Sequence, residues 1–283
     1  LREFFAKGGI LSRLIAINLG IWALIGIIRV GFTLSGLPDQ VFLNDYVLTY
    51  LGAPASPMLA LHYFWTILTY NFVHIEFFHI LFNMLWLYWM GKIFTEYLTQ
   101  KQLLWIYILG GISGYLVFMA AFNLFPGFAG MGSSRVIGAS ASVMAVVAAI
   151  SFYIPGYTLS LLFFGRVKIL YLALGLFILD FLMISSDNPG GHLAHIGGGL
   201  LGYLYILLLK NGRLPGVKFP WGFRRKPRMK TYRSGSIRAE EEYNREKKLQ
   251  QEEIDRILDK IKISGYQSLS PSEKETLFKA SRK

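Results

Sequence analysis

The chain of 283 residues contains no cysteine and few charged side chains. Without cysteine it cannot build a disulfide framework, a thiolate nucleophile or a cysteine-ligated metal centre. Charged residues make up 16% of the chain, well below the roughly 25% that is typical of soluble domains. Hydrophobic residues make up 53%. This composition predicts a membrane protein.

Acidic residues are fewer than basic ones, and the imbalance lies mainly at the C-terminal end. Residues 1–210 hold 10 Lys or Arg against 7 Asp or Glu, whereas residues 211–283 hold 19 against 10. A basic segment after the last apolar helix is more typical of contact with anionic lipid than with nucleic acid. We therefore expect membrane lipids, and no nucleic acid, among the partners.

Six apolar stretches approach the length of about 20 residues that a helix needs to cross a bilayer. The fourth is short, because Pro155 and Gly156 end it. At about 1.5 Å per residue it covers about 25 Å, so its first residues should lie below the membrane surface. The first is too long for a cleaved signal peptide, and we expect it to be retained. The stretches are 10–32, 76–98, 102–124, 138–154, 167–186 and 191–210.

The distribution of basic residues predicts the orientation of these spans, because cytoplasmic loops carry an excess of Lys and Arg. Lys7 and Arg13 precede or begin the first span, and Lys92 and Lys101 lie near the second turn, whereas the connection at 33–73 has neither residue type. We expect a multi-pass protein of the bacterial inner membrane with both termini in the cytoplasm. Spans two, four and six then all begin at the outer face, so their first residues lie at similar depth.

Polar and small residues gather at these three outer ends. Ionisable residues in hydrocarbon are costly and usually face the bundle interior or a water-filled cavity. Four of the five histidines of the chain are among them. The set comprises His74, Glu76, His79 and Asn83 near span two, Gly138, Ser140 and Ser142 in span four, and His192, His195, Gly198 and Gly202 in span six.

Serine and histidine at one depth favour nucleophilic catalysis, since a serine hydroxyl attacks a carbonyl when a positioned imidazole takes its proton. Acyl transfer also needs N–H donors for the oxyanion, and an Asn amide, a His ring and a backbone N–H can supply them. Gly198 and Gly202 form a G-x-x-x-G motif, which allows close contact with span four. Alone, however, the small residues could serve packing, the pair His79 and Asn83 could be structural, and His192 is a rival base.

Three stretches, "HIEFFHILFN", "GASAS" and "AHIGGGLLG", resemble the signatures of the rhomboid family of intramembrane serine proteases, in the right order and on spans two, four and six. The resemblance covers about residues 10–210. It implies that Ser140 is the nucleophile and His195 the base, without an acidic third member. It further implies that His79, Asn83 and the backbone N–H of Ser140 stabilise the oxyanion.

The resemblance also implies the fold and the partners. We expect an all-α membrane protein, a six-transmembrane-helix rhomboid-like bundle with a short buried fourth helix, a water-filled cavity and a gate near span five. Transmembrane proteins would be the substrates, and neither a cofactor nor a metal is implied. Three positions depart from the common family pattern: Thr66 follows Trp65 where Arg is frequent, Ala141 stands where Gly is commoner, and Met144 replaces an aromatic residue.

Two other classes of function compete with the protease. A catalytically inactive rhomboid-like protein would hold transmembrane clients, but it would be expected to lack the serine or the histidine. A transporter could use Asp180 and the histidines, but it would be expected to show internal repeats. For Asp180, deep in span five, we expect a hydrogen-bonded structural role.

The chain is expected to have three parts. Residues 1–210 form the six-helix rhomboid protease domain, residues 211–238 a basic juxtamembrane linker, and residues 239–283 a charged cytoplasmic helical tail. Ser270, Pro271 and Glu273 predict a capping box at the start of a short helix. The tail is either a solvated helical hairpin or a docking or regulatory element.

Overall fold

The computed structural model describes residues 9–161, 165–185, 188–213, 256–257, 259–261 and 268–274. The chain forms two compact units, Leu1–Lys218 and Phe219–Lys283. Six long helices of the first unit lie close to the predicted apolar stretches, because the hydropathy of the sequence marks them clearly. They are α1 (Ile10–Leu34), α2 (Phe77–Tyr97), α3 (Gln100–Leu124), α4 (Ser140–Tyr153), α5 (Ile169–Leu182) and α6 (Pro189–Lys210).

Three of these helices, α1, α3 and α6, are long and apolar enough to cross a membrane. Helix α4 and the helical stretch Ile169–Ser185 are apolar but shorter. The 14 residues of α4 cover about 21 Å, less than the hydrocarbon core of about 30 Å. The protein is therefore a membrane protein with three candidate spans among its described helices, and the count of six stays a prediction.

Local capping sets where two of the helices begin. Thr99 and Gln102 form a capping box at the start of α3. The Asn188 side chain accepts a hydrogen bond from the backbone N–H of Gly191, and Pro189 is the first residue of α6. Proline is favoured there because the N–H it lacks would have no partner inside the helix. These caps fix the start of α6, three residues before His192.

Helix α4 lies at the centre of the first unit. Every residue from Ala141 to Ser151 is buried, and α6, α3 and α2 pack around it. A Cβ atom at Gly198 of α6 would collide with the carbonyl oxygen of Ala141, and one at Gly202 would collide with that of Ala145. Only glycine permits so close an approach of two helix backbones.

The connection between α1 and α2 is folded, which the sequence did not predict. It contains a two-residue strand, β1 (Ala53–Pro54), paired antiparallel with β2 (Arg135–Val136) just before α4. Arg135 donates hydrogen bonds from Nη1 to the carbonyl oxygens of Thr49 and Gly52, both at 3.0 Å. These contacts tie the first connection to the segment that carries Ser140. The short helices of the first connection are Asp39–Val41, Phe42–Leu48, Thr49–Leu51, Pro57–His62, Thr66–Thr69 and Tyr70–Phe72.

Smaller elements complete the described chain. Strands β3 (Thr158–Leu161) and β4 (Gly165–Lys168) pair antiparallel between α4 and α5, and Pro126–Phe128 and Met183–Ser185 form single 3-10 turns.

In the second unit the predicted capping box is present. The N–H of Ser270 donates to Glu273 Oε2 at 2.7 Å, and the N–H of Glu273 donates to Ser270 Oγ at 3.2 Å.

Candidate functional site

A cavity of about 470 Å³ lies between the N-terminal ends of α2, α4 and α6 and the C-terminal half of α5. Four of its lining residues are those for which the sequence predicts a chemical role: Ser140, His195, His79 and Asn83. Asp180 and Met144 also line it, and much of the remaining wall is apolar. The fold therefore brings together residues that are 116 positions apart at the extremes.

The structure distinguishes the two serines of α4. Ser140 is the first residue of the helix, is half-buried and lines the cavity. Ser142 is fully buried. Its hydroxyl group hydrogen-bonds with the carbonyl oxygen of Tyr107 and lies 3.0 Å from Oδ1 of Asn71. Ser142 therefore serves packing between helices, and Ser140 is the serine that a ligand in the cavity can reach.

Asp180 of α5 joins two histidines of α6. Its Oδ1 atom lies 2.8 Å from Nδ1 of His195 and 2.8 Å from Nδ1 of His192. His195 lines the cavity with Ser140, whereas His192 is not among the lining residues. Among the hydrogen bonds of the described residues none joins Ser140 to His195. The two side chains thus share one cavity without direct hydrogen bonding in this conformation.

His79 and Asn83 lie one helical turn apart at the start of α2. Asn83 donates from Nδ2 to the carbonyl oxygen of His79 at 2.8 Å, which leaves its second N–H available. The imidazole of His79 lies against Gly138, which has a φ of +113°. A Cβ atom at Gly138 would come within 2.6 Å of the ring. Glycine is required here both by the backbone conformation and by the close approach of His79.

His74, just before α2, is fully buried. Its Nε2 atom accepts a hydrogen bond from the N–H of Ala139 at 3.1 Å. Burial lowers the pKa of His74 to about 3, and the neighbouring His79 adds to the effect. His74 is therefore neutral at ordinary pH, as an acceptor must be, and it holds the residue that immediately precedes Ser140.

For Asp180 the sequence predicted a hydrogen-bonded structural role, but it did not predict that His192 and His195 would be the partners. The signals were present: an acidic residue inside an apolar helix and two histidines three positions apart. The carboxylate and the two ring nitrogens lie within 4.8 Å of one another, so these three side chains could also hold a metal ion. In the observed geometry, both rings instead hydrogen-bond to the carboxylate.

The fold and the cavity together define a helical membrane protein with a polar site between its helices. The family model described as the Rhomboid domain matches residues 61–212. The chain therefore belongs to the rhomboid family. A second model, described as a family of unknown function (DUF6576), matches residues 238–283.

A curated relative, "RHOMBOID-like protein 12, mitochondrial" of Arabidopsis thaliana, is 30% identical over 158 residues. The match covers 52% of this chain and 47% of the relative, so the chain spans about half of the relative's length. The relative's name gives a mitochondrial location and no reaction. The comparisons therefore do not support the predicted bacterial inner membrane.

Proposed function

We propose that the protein is an intramembrane serine protease that cleaves peptide bonds in or beside the transmembrane helices of its substrates. The observation that carries the proposal is the presence of Ser140 and His195 in one cavity. They stand near the starts of two helices whose backbones meet at Gly198. Membership of the rhomboid family favours this reading over the transporter.

In the proposed reaction Ser140 Oγ attacks the carbonyl carbon of the scissile bond, and His195 Nε2 takes the hydroxyl proton. The tetrahedral intermediate collapses, the C–N bond breaks, and His195 returns the proton to the leaving amine. Water then attacks the acyl-serine ester with His195 again acting as base. The second product, which carries the new carboxylate, leaves, and Ser140 regains its proton from His195.

The developing oxyanion would be stabilised by three donors. The first N–H groups of a helix have no partner inside it, which leaves the backbone N–H of Ser140 free to donate at the start of α4. Asn83 and His79 line the same cavity, and the second N–H of Asn83 and a ring N–H of His79 would be the other two donors. Donors fixed in place before the reaction need no reorganisation when the charge forms.

The proposal also includes the membrane topology and the division of the chain into three parts. Helices α1 to α6 would form six spans with both termini in the cytoplasm, and residues 1–210 would be the protease domain. Residues 211–238 would form a linker on anionic lipid, and residues 239–283 a cytoplasmic helical tail. Most of the linker and tail lies outside the described residues.

A second candidate is an inactive rhomboid-like protein that binds transmembrane clients. The missing hydrogen bond between Ser140 and His195 favours it. Against it, catalytic hydrogen bonds are often long in unliganded enzymes and shorten when substrate binds. Both side chains needed for the reaction are present.

A fluorophosphonate probe, which reacts with activated serines, separates the two candidates. We expect the wild type to be labelled and to cleave a transmembrane reporter substrate, and Ser140→Ala and His195→Ala to lose both properties, by at least about 10³-fold in rate. Ser142→Ala is the matched control, because it removes the same hydroxyl from a site that the cavity does not reach. Labelling that survives Ser140→Ala but disappears in Ser142→Ala would contradict the choice of nucleophile. An unlabelled, inactive but folded wild type would favour the binding protein.

A further inference from the structure

We propose that Asp180 is a positioning residue that orients His195 and selects its tautomer. This inference rests on the proposed function, to which it adds a third member supplied by a different helix. It is carried by one geometric feature, the 2.8 Å contact between Asp180 Oδ1 and His195 Nδ1. The resemblance to the rhomboid family implied no acidic group of this kind.

The contact determines which ring nitrogen carries the proton. A carboxylate accepts hydrogen bonds and has none to donate, so the ring presents Nδ1–H to Asp180. In the neutral imidazole the other nitrogen, Nε2, then holds a lone pair. Because His195 lines the cavity with Ser140, Nε2 is the atom that can take the serine proton. In the opposite tautomer Nε2–H would face the serine and could not act as a base.

Burial makes the contact persistent. The Asp180 side chain is only 10% exposed and lies in a helix made otherwise of apolar residues and one glycine. A carboxylate in such surroundings is costly unless it is paired. His192 provides a second donor, also at 2.8 Å, so the carboxylate oxygen receives two N–H groups. The side chain therefore has a strong reason to remain beside both rings.

Asp180 also connects α5, the helix that carries it, to α6. Only three described residues of α5 are buried: Ile169, Ala173 and Asp180. The carboxylate is thus a main polar connection between α5 and α6. Phe177 adds an apolar one, since its ring lies against Gly199 of α6. A displacement of α5 would remove Asp180 from His195 and lower the fraction of enzyme with a correctly protonated base.

The test compares the full-length wild type, Asp180→Asn and Asp180→Glu in detergent micelles. We expect Asp180→Asn to lower kcat at least about tenfold, with little change in KM, because proton transfer is impaired and substrate binding is not. Asp180→Glu keeps the carboxylate and should recover part of the loss. Asp45→Asn is the matched control: it makes the same change at an exposed acid of the first connection, and should leave kcat unchanged.

Nitrogen-15 NMR of labelled histidine reports which ring nitrogen of His195 carries the proton. A purely structural role of Asp180 would not change this tautomer. The His195 signals, assigned by their loss in His195→Gln, should show the proton on Nδ1 in the wild type and a shift toward the Nε2–H form in Asp180→Asn. The wild-type spectrum decides the matter even if Asp180→Asn fails to fold, because a wild-type His195 with its proton on Nε2 overturns the proposal.

Two further outcomes would overturn it. One is a folded Asp180→Asn variant with wild-type kcat and an unchanged His195 tautomer. The other is one equivalent of zinc or another divalent metal in the purified wild type that is lost in Asp180→Asn, since the three side chains would then be metal ligands. Failure of the proposed function looks different: without Ser140-dependent labelling there is no reaction to position, yet the NMR reading of Asp180 and His195 still stands.

Discussion

At the scale of single residues, neighbouring side chains of one type have different environments. Ser140 faces the cavity, whereas Ser142 is buried against Tyr107 and Asn71. His195 lines the cavity, whereas His192 does not, although both contact the carboxylate of Asp180. The sequence alone favoured Ser140 and His195 through their motifs. The structure adds a physical reason, which is access to a common cavity.

His74 gives a pH-dependent prediction at this scale. Its pKa of about 3 in the folded protein lies below the ordinary histidine pKa of 6.5, so the unfolded chain binds more protons between these two pH values. Stability should therefore be fully present above pH 6.5 and fall as the pH is lowered toward 3. His74→Gln keeps an acceptor for the N–H of Ala139 but does not titrate. Thermal unfolding in detergent from pH 8 to pH 4 should show a steeper loss of Tm in the wild type than in His74→Gln. Parallel curves would contradict the prediction.

At the scale of elements, the site depends on how closely α4 and α6 approach. The carbonyl oxygens of Ala141 and Ala145 occupy the space beside Gly198 and Gly202. Helix α4 can be short because it is surrounded by other helices rather than by lipid, and its buried residues lie on all its sides. This packing places the start of α4, with Ser140, beside the first turns of α6.

Gly198→Ala should be strongly destabilising, because the added methyl group meets the backbone of α4 and cannot be accommodated by rotating a side chain. We expect a loss of about 1–3 kcal/mol in the free energy of unfolding, together with loss of probe labelling. Gly26→Ala is the matched control, since a Cβ there meets nothing within 4 Å. The measurements are Tm in detergent and fluorophosphonate labelling. Equal behaviour of the two variants would show that the approach of the helices is less tight than the structure indicates.

At the scale of the whole molecule, the absence of cysteine makes the predicted topology directly testable. Single cysteines can be introduced at the exposed positions Asp45, Lys101, Gly127 and Gly156, which follow or begin successive helices. If α1, α2, α3 and α4 each cross the membrane, a membrane-impermeant maleimide should label Asp45→Cys and Gly127→Cys in intact cells. It should label Lys101→Cys and Gly156→Cys only after lysis. Labelling of neighbouring positions from the same side would show that the helix between them does not cross.

The helices and the main site residues could be predicted because their signals are local. Long apolar runs mark α1 to α6 to within a few residues, and the motifs around His79, Ser140 and His195 are short. The folded first connection could not be predicted, because β1 and β2 are two-residue strands that pair across about 80 residues. The contacts of Arg135 could not be predicted either, because its side chain binds backbone carbonyl oxygens, which every residue carries.

The amino-acid sequence is enough to identify a helical membrane protein of the rhomboid family and the serine and histidine that are candidates for its chemistry. Hydrophobic runs and short motifs carry that information without regard to the path of the chain. The folded structure was needed to show that Asp180 contacts both His192 and His195, and that Ser142 is buried while Ser140 is accessible. These depend on how α5, α4 and α6 pack, because hydrogen bonding and burial are properties of side chains that are distant in sequence and adjacent in space.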